Sequence, residues 1–541
     1  MNCDPTLSTK FGNAIPRCIS KAPSWLILLL VSLTCGLFLV QALAISGTLG
    51  FALDDAWIHM RYADNLAHGF GFSYNRGVLS PGSTAPLWVL LLAATRWLEL
   101  PPVMAAHVLG IVLFGLSCWL TRNLALQAGC RPTSALLAGA LTAVTARLVW
   151  GAVSGMEVSL YVALTVLAIS WHIRFGLDSG WRSYLATIVF ALAVHARPEC
   201  YVLFPIAWLS HLWVARRRPL SVLRAFPPHL IVYLAVLSPQ WAFNLTVIGS
   251  IFPATFHAKV QGGLLDALRS GNTAEIIRSV TIQPLEFVGL YLQFWLENNA
   301  ILFVPMLFGV VRLVRQSLLG HSSRAVVVPL LWSLTPLAIG MVSGQNGLVG
   351  RYIAFLTPCY VVSAVIGLED INRRLVAMKW LDHARRRTIR CVLVELVVSN
   401  AALVLTYASQ RYGWMVDNIE GMQVFMGHWI RQNIPEDAVI AINDVGAITY
   451  FGNREIIDTV GLTTPEILPY LKDPDRSRDD NVLRYLRLRR PDYLIVFPNW
   501  YPELTQRSDL FEPVFTHTYT RRNETLGGTS TVVYRCRWEA K

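Results

Sequence analysis

The sequence predicts a polytopic α-helical membrane protein of about eleven transmembrane helices, followed by a soluble C-terminal α/β domain. Three observations carry this expectation. Hydrophobic residues make up 54% of the chain and charged residues 15%, at a mean hydropathy of +0.45, which is outside the range of soluble globular domains. Apolar runs long enough to cross a bilayer recur up to about residue 410. Beyond that point the chain turns polar, and short strand-like runs alternate with helical stretches.

The first span runs from Trp25 to about Ile45, after Lys10, Arg17 and Lys21. Ala42-Leu43-Ala44 resembles a signal-peptidase site, but the run is about twice the usual apolar core of roughly 7–15 residues. We therefore read an uncleaved span with its N-terminus in the cytoplasm. Ten further runs lie near 102–120, 133–150, 155–173, 182–196, 199–214, 225–245, 299–315, 325–343, 350–368 and 391–409. The segment 84–98 is short and contains Arg96, so it reads as an interfacial or re-entrant helix.

Loop charge sets the orientation. With 84–98 left out of the count, Arg122, Arg131, Arg174, Arg216, Arg224, Arg312, Arg324, Arg373 and Arg385 fall on one side, which the positive-inside rule makes cytoplasmic. The same rule accounts for the formal charge of +12 without nucleic acid. Residues 1–409 then form the membrane domain, and the loops 47–101 and 246–298 face outward. Residues 410–541 form a periplasmic or extracellular domain, with strands expected in 438–444, 454–461, 491–497 and 530–536 and helices in 420–433 and 479–490. The nine cysteines show no metal-ligand spacing.

The chemistry concentrates in the first outer loop. Leu53, Ala56, Trp57, Met60, Ala63, Ala67 and Phe70 recur at helical spacing, leaving Asp54 or Asp55, His59, Tyr62 and Asn65 on the other face of a helix lying along the membrane surface. Asp55 and His59, four apart, can meet there. A Gly-, Pro- and Ser-rich loop follows. An acid at a helix start can equally be a cap satisfied by the helix dipole. Other ionisable groups sit at outer span ends or outer loops: Glu157, His195, Arg197, Glu199, His257, Lys259, and Arg351 beside Tyr352. Plainer roles exist for these too, as snorkelling arginines, solvated loop charges and structural ion pairs. Asp444 and Asp458 end expected strands, where turn and cap roles compete with ligand binding. Trp500 and Tyr501 could stack on sugar or pack the domain.

The stretch "DDAWIHMRYADNLAHGFGFSYNRG" followed by "GSTAPLWVLLLA" resembles the first outer loop of the GT-C membrane glycosyltransferases. Within that class the chain is most similar to the mycobacterial cell-wall terminal arabinofuranosyltransferases and their bacterial relatives, through "SGMEVSLYVAL", "ARPEC", "FPATFHAKV" and "GLVGRYIAFLTP". The resemblance implies transfer of a sugar, such as arabinofuranose, from a polyprenyl-phosphate-linked donor to a glycan, lipid or protein acceptor on the outer face. It also implies an acidic general base in the first outer loop, either Asp54 or Asp55, with His59 as helper. Arg351, Tyr352 and Lys259 are candidates for the donor phosphate, and Glu157, His195, Arg197, Glu199 and His257 for other substrate contacts. The resemblance fixes no cofactor, and Asp54 and Asp55 could hold a divalent cation with the lipid phosphate supplying further oxygens. A transporter or flippase of a lipid-linked or anionic substrate is the alternative, since charged groups near spans also mark substrate paths.

Overall fold

The computed structural model describes residues 24–177, 180–216, 219–259, 263–319, 324–343, 350–378, 382–473 and 475–538. Among the described residues, eight helices are long and apolar enough to cross a membrane: Trp25–Ser46, Pro102–Gln127, Val158–Phe175, Pro219–Ile248, Thr273–Leu318, Arg324–Val342, Gly350–Ala377 and His383–Asn433. A ninth is the pair Pro132–Ala143 and Ala146–Val153, bent by 57°.

The difference from about eleven has a simple cause. The runs at 182–196 and 199–214 fold as Ser183–Ala196 and Leu203–Val214, helices of 14 and 12 residues separated by a turn that begins at Pro198. At a rise of about 1.5 Å per residue neither reaches the ~30 Å of a hydrocarbon core. The helix Pro86–Trp97 is shorter than a span, as expected. Residues 273–298, read from the sequence as loop, are instead the first half of the helix Thr273–Leu318, which kinks at Asn299. Glu275, Arg278, Glu286 and Glu297 had interrupted the hydropathy of that half.

Thr273–Leu318 packs along Gly350–Ala377, and Trp25–Ser46 along His383–Ile419. Gly413 lets the latter pair approach closely, since a Cβ there would lie 2.7 Å from the Gln41 carbonyl oxygen. His383–Ile419 crosses residue 410 without a break and continues through a π-helical turn at Glu420–Val424 into Phe425–Asn433.

The C-terminal domain is a five-stranded mixed sheet. Its strands are β1 (Val439–Ile442), β2 (Glu455–Asp458), β3 (Tyr493–Val496), β4 (Phe511–Thr518) and β5 (Ser530–Cys536), in the order β2-β1-β3-β5-β4. The first three neighbours are parallel, and β5 is antiparallel to both β3 and β4. Four strands and the helix Arg478–Arg489 match the sequence expectation. Strand β4 was not anticipated. It is an edge strand that carries Pro513, shifts register between Pro513 and Phe515, and leaves half of its residues exposed and only Phe511 buried, so it lacks the alternation of a half-buried strand.

Candidate active site

The expected surface helix forms as Asp55–Ala67, with Asp54 at its N-cap position. It does not lie with one wet face on a membrane surface. Nine of its residues are buried, among them Trp57, Met60, Arg61 and Tyr62, because it is packed between the spans and the C-terminal domain. Trp57 packs against Phe51 and, in the domain, against Tyr450 and Phe451 in tilted and edge-on arrangements, at 4.7–4.8 Å between centroids. The polar face holds the following loop: Asn65 donates to the Ser73 and Tyr74 carbonyls at 2.9 Å, and the Tyr62 hydroxyl donates to Ser80 and accepts from the Gly82 N–H.

That loop is bonded to the C-terminal domain. Asn75 exchanges two hydrogen bonds with the Ile456 backbone, at 2.8 and 3.0 Å. Ser80 donates to the Thr463 carbonyl, Arg61 to the Asn453 side chain, and Tyr74 to the Val445 carbonyl. Asp458, fully buried at the end of β2, accepts from the Val460 and Thr463 N–H groups at 2.8 Å and so shapes the turn that delivers Thr463 and Leu462 to this seam.

The two adjacent acids have different surroundings. The Asp54 carboxylate accepts from the Gly446 N–H at 2.6 Å and the Ala447 N–H at 2.7 Å, in the C-terminal domain. Asp444, held by Gln423 at 2.6 Å, meets Asp54 there. Burial between the domains raises the pKa of both carboxyls; the Asp444 charge raises Asp54 further, against the backbone N–H donors that favour its charged form, while hydrogen bonds with Gln423 and Asp54 work against the rise at Asp444. Asp55 points the other way. Its side chain retains 32% exposure and pairs with Arg351 at 2.6 Å.

Asp55 and Arg351 line a cavity shared with His59, Thr84, Arg197, Glu199, Tyr352, Thr255, Phe256 and Leu462. The Tyr352 ring carries two cations, the Arg197 guanidinium carbon at 4.4 Å from its centroid and that of Arg351 at 5.3 Å. Arg197 is also held by two acids, Glu199 at 2.9 Å and the fully buried Glu157. His59 is positioned by the Ser83 hydroxyl at 3.1 Å and by Glu157 at 3.3 Å. The cavity thus contains two carboxylates, Asp55, the more exposed, and Glu199, paired with Arg197, beside an arginine pair mounted on an aromatic ring.

Of the residues singled out in the sequence, Asp55, His59, Arg197, Glu199, Arg351 and Tyr352 line this cavity, and Glu157 lies directly behind it. Asp54 is not among its lining residues. His195 faces a separate, mostly apolar groove with Phe72, Leu90 and Phe243, where Gln240 and the Val236 carbonyl occupy its two ring nitrogens. His257 bonds Ser250 at 2.8 Å, while its neighbours Thr255 and Phe256 reach the cavity. The side chain of Lys259 lies outside the described residues. Leu462, Thr255 and Phe256 were missed because neutral residues carry no chemical signature in a sequence. In the C-terminal domain Tyr501 is fully buried, whereas Trp500 stays partly exposed beside Gly527.

The residues present do not fit a metal held by Asp54 and Asp55, since one carboxylate is bound to backbone N–H groups and the other to Arg351. Among the described residues, no three His, Cys, Asp or Glu side chains converge as a ligand set.

Comparison with known proteins adds the following. A family described as "Domain of unknown function (DUF8728)" matches residues 417–534. No curated protein matches the chain. Among solved structures, the oligosaccharyltransferase of Archaeoglobus fulgidus in complex with Zn and sulfate is similar at 14% identity and a TM-score of 0.56, over 94% of this chain and 73% of that one. ArnT from Cupriavidus metallidurans bound to undecaprenyl phosphate is similar at 10% identity and a TM-score of 0.55, over 95% and 98%. The arabinofuranosyltransferase AftD from Mycobacteria matches at 16% identity and a TM-score of 0.45, over 95% of this chain and 42% of that one, too loose a likeness to bear on the sugar. At 10–14% identity the first two establish architecture alone, and that architecture is the fold of the GT-C membrane glycosyltransferases.

Proposed function

We propose that the chain is a membrane glycosyltransferase that moves a sugar from a polyprenyl-phosphate-linked donor to a glycan, lipid or protein acceptor on the outer face of the membrane. The observation that carries this reading is the Asp55–Arg351 pair facing a shared cavity, which puts a proton acceptor and a phosphate-binding fork in one cleft. The fold shared with an oligosaccharyltransferase and with a protein bound to undecaprenyl phosphate supports it. Placing the Arg-rich loops in the cytoplasm puts loop 47–101 and the domain that follows about residue 410 outside.

In this mechanism Asp55 takes the proton of the acceptor hydroxyl as its oxygen attacks the anomeric carbon. The bond from that carbon to the phosphate oxygen breaks, and the polyprenyl phosphate leaves as an anion onto Arg351. Because Asp55 and Arg351 are paired at 2.6 Å, a donor phosphate that engages Arg351 also releases the carboxylate that must accept the proton. A single displacement of this kind inverts the anomeric centre, as in inverting glycosidases. Tyr352 orients Arg351 through its hydroxyl and ring, and Arg197, on the same ring, holds Tyr352 in place. His59, tied to Ser83 and Glu157, shapes the wall beside Asp55. Asp54 is assigned to docking rather than to proton transfer.

The test is an assay of the purified protein against a panel of polyprenyl-phosphate sugars, arabinofuranose and hexoses among them. Asp55→Asn should lower turnover by ~10²–10⁴-fold with the protein still folded. Retained turnover in Asp55→Asn would remove the base assignment. No turnover of wild type with any donor, together with lipid translocation in liposomes, would instead favour a transporter.

A further inference from the structure

Residues 80–84 form a strap along the cavity, which Gly82 and Thr84 line, and the polar groups of this strap are committed one after another. The Ser80 hydroxyl donates to the Thr463 carbonyl at 2.9 Å, and the Pro81 carbonyl accepts from the Ala254 N–H at 3.1 Å. The Gly82 N–H donates to the Tyr62 hydroxyl at 3.0 Å. The Ser83 hydroxyl holds His59 at 3.1 Å and accepts from the Ala85 N–H at 3.2 Å. The strap is thereby fixed to the helix Asp55–Ala67, to the C-terminal domain and to the start of the helix Ala254–Lys259.

Thr84 is the exception. Its side chain is partly exposed and shares the cavity with Asp55, Glu199 and Arg351, and among the described residues its hydroxyl has no hydrogen-bond partner. The common structural reason for a threonine at such a place is missing too. Thr84 stands two residues before the helix Pro86–Trp97, where Ser and Thr often cap, yet that helix has Ala85 at its N-cap position and no side-chain cap bond. The charged groups of the cavity are paired with one another, Asp55 with Arg351, and Arg197 with Glu199 and Glu157. Thr255 also has a hydroxyl without a partner, but that atom is buried. Thr84 is therefore an uncommitted hydroxyl on a fixed strap, open to the cavity.

A hydroxyl both donates and accepts hydrogen bonds, which suits it to another hydroxyl. A phosphate only accepts, and is better served by the guanidinium of Arg351. Ile58, Met156, Phe256 and Leu462 also line the cavity, and in apolar surroundings a hydrogen bond is electrostatically stronger than in water. We propose that the Thr84 hydroxyl hydrogen-bonds one hydroxyl of the transferred sugar and so selects the donor. The inference rests on the glycosyl-transfer reading, in which the sugar lies between the phosphate on Arg351 and the base Asp55. A donor that lacks this hydroxyl leaves Thr84 unpaired in a cavity closed to water, which lowers its turnover.

The experiment measures kcat/KM of the purified full chain with undecaprenyl-phosphate arabinofuranose and undecaprenyl-phosphate hexoses, each also in its singly deoxygenated forms. Thr84→Val keeps the shape and removes the hydroxyl. It should lower kcat/KM for the preferred donor by about two- to tenfold, the range of one neutral hydrogen bond. With one deoxygenated form of that donor, wild type and Thr84→Val should be equal, because the bond is already gone. Thr84→Ser should keep the wild-type preference among donors. The Tm of Thr84→Val should not fall, since no protein group loses a partner, whereas a structural role would lower it. Thr84→Ala gives the same comparison if the valine variant does not fold. An equal loss with every donor would assign Thr84 to the phosphate or the acceptor and overturn the proposal, as would an unchanged kcat/KM. Both results leave sugar transfer standing, while wild type that turns over no donor would overturn the transfer reading and this proposal together.

Discussion

At the scale of single residues, the adjacent acids are separated by what each carboxylate touches. Asp54 accepts two backbone N–H groups of the C-terminal domain, and Asp55 faces the cavity. Asp54→Ala would leave two N–H groups without an acceptor at the domain seam and should lower stability by roughly 2–4 kcal/mol, read as a fall in Tm. The Asp54–Asp444 pair also makes a pH prediction. Both carboxyls have raised pKa values, first through burial, with Asp55 repelling each and Asp444 repelling Asp54, so the folded protein holds their protons more tightly than the unfolded chain does. That contribution is full below the unfolded carboxylate pKa of about 3.9 and is lost as pH rises through the raised native value. Domain docking should therefore weaken on the alkaline side, and Asp444→Asn, which cannot ionise, should flatten the loss. Tm followed from about pH 5 to about pH 9 checks this; an identical slope in Asp444→Asn would refute it.

At the scale of elements, the helix Asp55–Ala67 and the loop after it act as one unit bonded to the C-terminal domain. Gly446 makes the close approach possible, because a Cβ at that position would fall on the Asp54 carbonyl oxygen. Gly446→Ala should cost about 1–3 kcal/mol, the usual range for forcing an atom into a packed interface, and Asn75→Ala should remove both bonds to Ile456. Limited proteolysis of residues 439–536 is the readout, and unchanged protection in both variants would show that the seam is not what holds the domain. Periodicity located this helix, but its burial on both sides was not legible. Amphipathic spacing reports one apolar face, whereas Arg61, Tyr62 and Asn65 are buried by hydrogen bonds to partners distant in the sequence or across the loop.

At the scale of the whole molecule, the proposed orientation places the cavity and the sheet domain on the side opposite the Arg-rich loops. A cysteine introduced at exposed Ser508 should react with a membrane-impermeant maleimide in intact cells, and one at Arg385 should react only after lysis. Reversed labelling would invert the topology and put the cavity on the cytoplasmic face. The span count shows the limit of hydropathy. Ser183–Ala196 and Leu203–Val214 are apolar enough to be counted but too short to cross, and the polar residues of 273–298 hid a helix that the structure makes continuous through a kink.

The sequence by itself determined that this is a membrane protein with a C-terminal α/β domain, and it singled out most of the ionisable groups that meet at the cavity. Those properties follow from composition, hydropathy and local spacing, which are one-dimensional quantities. Only the tertiary structure decided which acid of the pair faces the cavity, that Arg351 is the partner of Asp55, and that Leu462 of the C-terminal domain closes one wall. Asp54 and Asp55 are one residue apart, so helix geometry turns their side chains in different directions. What each meets was set by segments some three hundred to four hundred residues away.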